Sequence, residues 1–279
     1  CESVNYTLKA KNYATHAIHN NTGTFYDRDF IFSQLGFDTF TSLEYMDEAD
    51  STPTGWSKDY ILTDEILKAL NSNDKKDFIY TISVQAHGRY PTYEVLENPK
   101  ITVSGLESEE DRNAFTYYVN QIHEVDIFIK NLTDILSQYD EDVVLVMYGD
   151  HLPTLGLEEE HLKTSSLFQT EYVLWSNFGL PKENMTLETF QLTSFVLNKV
   201  GIDNGILNRY HHNSNSSETY MEDLELLQYD MLYGERYIYN GSNPFIATEL
   251  KMGIDEIDIS SVYEENGQLF VEGNNFTSF

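Results

Sequence analysis

Three polar patches in the chain carry residue types that could do chemistry together. Asp150 and His151 follow Gly149 directly, at the end of the apolar run Val143–Met147. A carboxylate beside an imidazole offers two ligands of the kind that Zn²⁺ or Mn²⁺ accepts. His87 and Arg89 stand just after a second apolar run, Phe78–Val84. His16, His19, Tyr26 and Arg28 lie in and after a third, Tyr13–His19. If all three runs are strands of one parallel sheet, their carboxyl ends share an edge, and ligands bind just outside that edge. Imidazoles, a guanidinium and a metal-binding carboxylate together suit a tetrahedral oxyanion such as phosphate or sulfate. Arginine supplies paired planar donors, and a divalent ion neutralises developing charge.

Each patch also has a plainer reading. Asp150 caps a turn and His151 is polar surface; His16 points to the opposite strand face and is buried structurally. His123 falls in the middle of a helical run, and His161, His211 and His212 sit in polar segments without ligand spacing. The abundant Tyr and Phe are core rather than a stacking platform. No glycine-flanked Ser or Thr marks a nucleophile elbow, and neither a Walker motif nor GxGxxG occurs. Cys1, at a terminus, is a poor thiol nucleophile.

The elements that would position these residues alternate. Ser3–Lys11 has helical spacing and leads into the strand Tyr13–His19. Phe25–Leu35 reads as one helix stopped by Gly36. Phe37–Met46 is extended, residues 51–56 are a loop, and Thr63–Leu70 is a short helix with acidic residues suited to its first turn. After the strand Phe78–Val84, a long helix spans Glu109–Ser137, with Phe115, Tyr118, Ile122, Val125, Ile129, Leu132 and Leu136 as its apolar stripe. The run Val143–Met147, β-branched and continuous, predicts a strand buried on both faces. Glu171–Trp175 is a further strand, and Leu187–Val200 an amphipathic helix closed by Gly201. The alternation predicts an α/β domain with a mostly parallel sheet. Beyond residue 205 it weakens: His211–Ser217 reads as a polar loop, Tyr220–Leu232 as a last helix, and the remainder as short β-strands with turns at Asn240-Gly241 and Asn266-Gly267.

Charge narrows the partners. Forty-six acidic against 17 basic residues give a net charge of −29, which argues against nucleic acid and anionic membrane surfaces. An anionic substrate would need a metal or a local cluster of cations. No apolar run reaches the 18 residues of a membrane span, and no signal peptide is visible. Cys1 is the only cysteine, so it reads either as the lipid-modified first residue of a mature lipoprotein or as a cut. With no initiator methionine, and an end at Phe279 inside a strand-like run, both ends read as cut.

Three blocks, in order, resemble a known family. Tyr13–Arg28 followed by Leu35–Phe40, then Ser83–His87, then Met147–His151, are similar to the signature segments of lipoteichoic acid synthase-type enzymes of the sulfatase and alkaline-phosphatase superfamily. The resemblance covers roughly residues 1–205. It implies a three-layer α/β/α sandwich over that range; a helical and extended segment follows over 206–250, and residues 251–279 resemble the start of a β module. It implies a divalent metal, manganese first with Mg, Zn or Ca as alternatives, held by Asp150 and His151. His19, Tyr26, Arg28 and His87 would line the substrate pocket, with Tyr26 where the synthases often carry tryptophan. The family's nucleophilic threonine and a metal-binding glutamate would lie upstream of residue 1. The implied enzyme transfers phosphoglycerol from a lipid donor at the outer face of a Gram-positive membrane, to which the full-length protein is anchored. Two alternatives stay open: a sulfuric ester hydrolase or phosphodiesterase, and a non-catalytic surface protein that binds an anionic polymer.

Overall fold

The computed structural model describes residues 2–276; Cys1 and the last residues, with the readings attached to them, lie outside this range. In chain order the elements are α1 (Val4–Lys9), β1 (Tyr13–His19), α2 (Arg28–Leu35), β2 (Thr39–Ser42), α3 (Leu62–Leu70), β3 (Lys76–Ile82), α4 (Glu109–Leu136), β4 (Val144–Tyr148), β5 (Tyr172–Ser176), α5 (Leu192–Lys199), α6 (Ile206–Ser214), α7 (Tyr220–Leu232), β6 (Lys251–Met252), β7 (Asp258–Glu265) and β8 (Gln268–Asn274). The chain divides into two compact units. The first takes residues 1–46, 65–81 and 184–279; the second takes 47–64 and 82–183.

The first unit is built on a four-stranded sheet in the order β3-β1-β2-β6. Six of the seven residues of β1 are buried, as a strand flanked on both sides requires. β1 runs parallel to β2, with His16 opposite Thr39 and His19 opposite Ser42, and β2 runs parallel to β6. Phe32 of α2 packs edge-on against Phe40 of β2, with ring centroids 4.8 Å apart, and against Phe37 at 5.2 Å. Leu8 of α1, Leu197 of α5 and Ile202 just beyond α5 form a second apolar cluster with Val4, Tyr13 and Phe78. Gly36 ends α2 at φ +87°, and a Cβ there would lie 2.6 Å from the Tyr6 ring; glycine is required on both counts.

Buried His16 bonds Thr39 Oγ1 through Nδ1 (2.8 Å) and Asp77 Oδ1 through Nε2 (3.1 Å). Both ring nitrogens are satisfied inside the sheet, which makes it a structural histidine. Residues 206–214, predicted in part as a polar loop, are helical instead. The Glu2 carboxylate accepts from the backbone N–H groups of Ile206 and Leu207 and so caps α6 from a distant point in the chain. The terminal hairpin turns at Asn266 and Gly267, both with positive φ, as the Asn-Gly signal predicts.

The second unit holds α4 and a two-stranded sheet. Ser108 caps α4, its side chain accepting from Asp111 N. The buried face of the helix carries Ala114, Tyr117, Asn120, Gln121, Phe128, Leu132 and Leu136, rotated from the predicted stripe so that Ile122 is exposed. Periodicity misses this face because two of its members are amides buried for their hydrogen bonds. β4 pairs with β5, and the pairing is antiparallel, with Val144 opposite Ser176 and Tyr148 opposite Tyr172. With one partner strand β4 is half-buried, not covered on both faces as its continuous apolar run predicts. Asn177 fastens β5 to the end of α4, its amide donating to the carbonyls of Leu136, Tyr139 and Glu141. Among the described residues, no helix is long and apolar enough to cross a membrane.

Candidate active site

Of the six residues that the family resemblance assigns to the site, His19, Tyr26 and Arg28 belong to the first unit, and His87, Asp150 and His151 to the second. In the first unit, His19 ends β1 and is 2% exposed; the parallel register puts Ser42, the end of β2, beside it. The chain then turns sharply. Gly23 donates its N–H to both carboxylate oxygens of Glu44, at 3.0 and 3.1 Å, and a Cβ on it would meet Ser42 Oγ at 2.9 Å. The predicted helix over 25–35 is divided here. Phe25–Asp27 forms a 3-10 turn with Tyr26 and Asp27 left-handed (φ 59° and 51°), and the α-helix starts at Arg28. Non-glycine residues held in this conformation carry local strain, and such strain gathers at functional sites.

The left-handed pair presents Arg28 to its neighbours. Its guanidinium carbon lies 5.5 Å from the Phe25 ring centroid and 5.4 Å from that of Tyr26, within cation–π range. Nη1 donates to Phe25 O at 3.1 Å. Burial lowers the Arg28 pKa, and Tyr26 and Tyr80 act in the opposite direction; the group keeps its charge at any physiological pH. Tyr26 is 73% exposed, so the pair presents a fixed cation beside an open ring.

In the second unit, Asp150 and His151 stand at the root of the excursion between β4 and β5. The root is tied by Gly149 N to Glu171 O (3.3 Å) and by Thr170 Oγ1 to Gly149 O (2.6 Å). His151 Nδ1 lies 2.9 Å from Leu152 O. A carbonyl only accepts, so Nδ1 carries the proton and Nε2 presents its lone pair. That Nε2 is 3.7 Å from Asp150 Oδ2, while Asp150 Oδ1 is taken by His151 N. Two ligands about 2.1 Å from one ion at a tetrahedral angle would lie about 3.4 Å apart. The donor set and tautomer therefore fit a divalent metal, with the second nitrogen held by a carbonyl as metal-bound histidines usually are. Two ligands are still fewer than the three protein ligands of a usual catalytic site. Among the described residues, the one group of three mutually close ligands is Glu158, Glu160 and His161, all exposed.

His87 joins this pair. Its ring centroid is 5.9 Å from that of His151, edge to face at 86°, and its Nδ1 is held by Gly88 O at 2.8 Å. It too presents Nε2, by the same argument. The structure thus brings His87, Asp150 and His151 together in one unit, and Tyr26 and Arg28 together in the other. Sequence reasoning passed over Trp56, Asp59 and Gln85, which hold the His87 turn. Their partners are 25 to 39 residues away, so no local pattern marks them.

A family model described as Sulfatase matches residues 1–202. A Rhizobium meliloti protein named for cyclic beta-1,2-glucan modification is 26% identical over 272 residues, covering 82% of this chain and 42% of its own. Lipoteichoic acid synthase 2 of Bacillus subtilis is 28% identical over 166 residues, covering 58% of this chain and 24% of its own. The chain thus spans less than half the length of these curated relatives. Among solved structures, the Streptococcus pyogenes phosphoglycerol transferase GacH in complex with sn-glycerol-1-phosphate superposes with a TM-score of 0.71 at 20% identity, over 85% of this chain and 65% of that one. At that identity the likeness carries the fold, and it bears out the α/β class with a parallel sheet.

Proposed function

Because the chain belongs to the sulfatase family, we propose that it forms most of the catalytic domain of a metal-dependent phosphoglycerol transferase acting at the outer face of a Gram-positive cell membrane. The observation that carries the reading is the convergence of His87 on the Asp150–His151 pair, with both imidazoles presenting Nε2. Asp150 and His151 would hold the metal, for which manganese is the first choice. When bound, the ion supplies positive charge to a phosphoryl oxygen and lowers the pKa of the attacking hydroxyl. That hydroxyl belongs to a threonine outside these 279 residues.

The chain's own residues have separate tasks. Arg28 gives paired N–H donors to two phosphoryl oxygens and enters the site already oriented by the Phe25 and Tyr26 rings. His87 Nε2 receives a proton from a substrate or acceptor hydroxyl and returns it to the departing oxygen. His19 and Tyr26 border the glycerol moiety, and the exposed Tyr26 ring keeps bulk water from its carbon face. A second reading keeps the donor and changes the acceptor to a glucan; the wide coverage of the Rhizobium relative supports it.

The full-length protein incubated with a phosphoglycerol-bearing lipid and Mn²⁺ tests this. Chelation and Asp150→Ala are each expected to lower turnover by at least about 100-fold. Equal turnover in both proteins would remove the metal role, and no turnover in either would favour a protein that only binds its anionic polymer.

A further inference from the structure

His87 has no helix or strand of its own. It closes a turn, its N–H bonded to Val84 O at 2.9 Å, and an imidazole on an isolated turn would sample both tautomers and several rotamers. The segment Trp56–Asp59 prevents this. Asp59 Oδ1 accepts from Val84 N at 3.1 Å and from Gln85 N at 3.2 Å, and Gln85 Oε1 accepts in return from Asp59 N at 2.8 Å. Asp59 is fully buried and Gln85 is 2% exposed. The two amide hydrogens of Gln85 go to Gln121 Oε1 (3.1 Å) and Glu124 Oε2 (2.5 Å) on α4, and Lys58 pairs with the same Glu124 at 3.0 Å. Every polar atom of the Gln85 side chain is used, which is what permits its burial.

The far end of the turn is held by the indole. Trp56 Nε1 donates to Gly88 O at 3.0 Å, the same oxygen that receives His87 Nδ1. A carbonyl oxygen has two lone pairs, and both are committed. The Trp56 ring lies edge-on to the His87 ring at 5.3 Å, and the His151 ring stands 5.9 Å from it.

We infer that Trp56 and Asp59 are positioning residues: through Gly88 O and the N–H groups of Val84 and Gln85 they fix His87 as its Nδ1–H tautomer, with Nε2 presented for reaction. The inference rests on the proposed role of His87 in phosphoryl transfer. Neither residue touches substrate; both act on the ring that does.

Two-bond ¹H–¹⁵N spectra of the ¹⁵N-histidine-labelled full chain, recorded where imidazoles are neutral, read the tautomer directly. The native protein is expected to show His87 as Nδ1–H. Trp56→Phe keeps an aromatic six-membered ring and removes the N–H donor together with the five-membered ring that carries it; it should shift His87 toward the Nε2–H form that free imidazole side chains prefer. Turnover of the phosphoglycerol-bearing lipid should fall roughly 10- to 100-fold in kcat, with a smaller change in KM. Asp59→Asn, which weakens the hold on Val84 and Gln85 without touching Trp56, should move both readouts the same way and serves if Trp56→Phe does not fold. An unshifted tautomer in both variants would overturn the brace while leaving the proposed reaction intact, whereas a native His87 in the Nε2–H form would overturn both the brace and the proton transfer through Nε2. A shifted tautomer with unaltered turnover would overturn the positioning role by removing His87 from the reaction.

Discussion

Arg28 enters its site restrained on three sides: by two aromatic rings and by the Phe25 carbonyl. Lysine would keep the charge but not the planar fork, the stacking or the carbonyl bond. Arg28→Lys is expected to raise KM about 10- to 100-fold, which corresponds to the roughly 1.5–3 kcal/mol of a charge-assisted hydrogen bond, with a smaller effect on kcat. Steady-state kinetics on the full-length protein would check this, and an unchanged KM would separate Arg28 from the substrate. At this scale the sequence shows which side chains are chemically able but not how they are aimed. The identities and strand-end placement of His19, His87, Asp150 and His151 are legible from apolar runs that stop at polar residues. The left-handed Tyr26 and Asp27 are not, because nothing in Phe-Tyr-Asp-Arg forbids a continuous helix. Their conformation follows from the anchoring of Gly23 to Glu44, two residues brought together by the sheet.

Among the elements, α4 shows where periodicity succeeds and where it stops. Its limits are legible: Ser108 and the acidic Glu109, Glu110 and Asp111 form a cap and first turn that complement the helix dipole. Ser108→Ala is expected to cost about 1 kcal/mol, read as a loss of a few degrees in the thermal midpoint by circular dichroism. An unchanged midpoint would mean the cap bond to Asp111 contributes nothing. The buried face is less legible, since Asn120 and Gln121 point inward to satisfy Lys100, Ile101 and Gln85. Any reading that ranks positions by apolarity assigns such residues to solvent. The same limit explains α6, whose amino terminus is completed by Glu2, some 200 residues earlier in the chain. It explains β4 as well: a run of β-branched residues announces a strand without stating its partner or direction.

For the whole molecule, charge is the dominant sequence property, and its consequence is independent of any site. With a net charge of −29, the folded chain repels itself, and mobile ions within a Debye length of about 10 Å relieve that repulsion. Raising NaCl from about 0.02 M to about 0.5 M should raise the thermal midpoint by several degrees; a midpoint that falls would show that attractive ion pairs outweigh the excess charge. The resemblance read from three ordered blocks is borne out by the family model over residues 1–202. It was legible because the chemistry requires particular residues just past strand ends. The tied base of the β4–β5 excursion carries one more consequence. Because Gly149 and Thr170 are fastened to each other, the roughly twenty residues between them leave and re-enter at one point, and halving that span would change its closure entropy by only about 0.6 kcal/mol. Tips of very different size and composition could therefore be exchanged by splicing at the margin, over an unchanged aspartate–histidine footing.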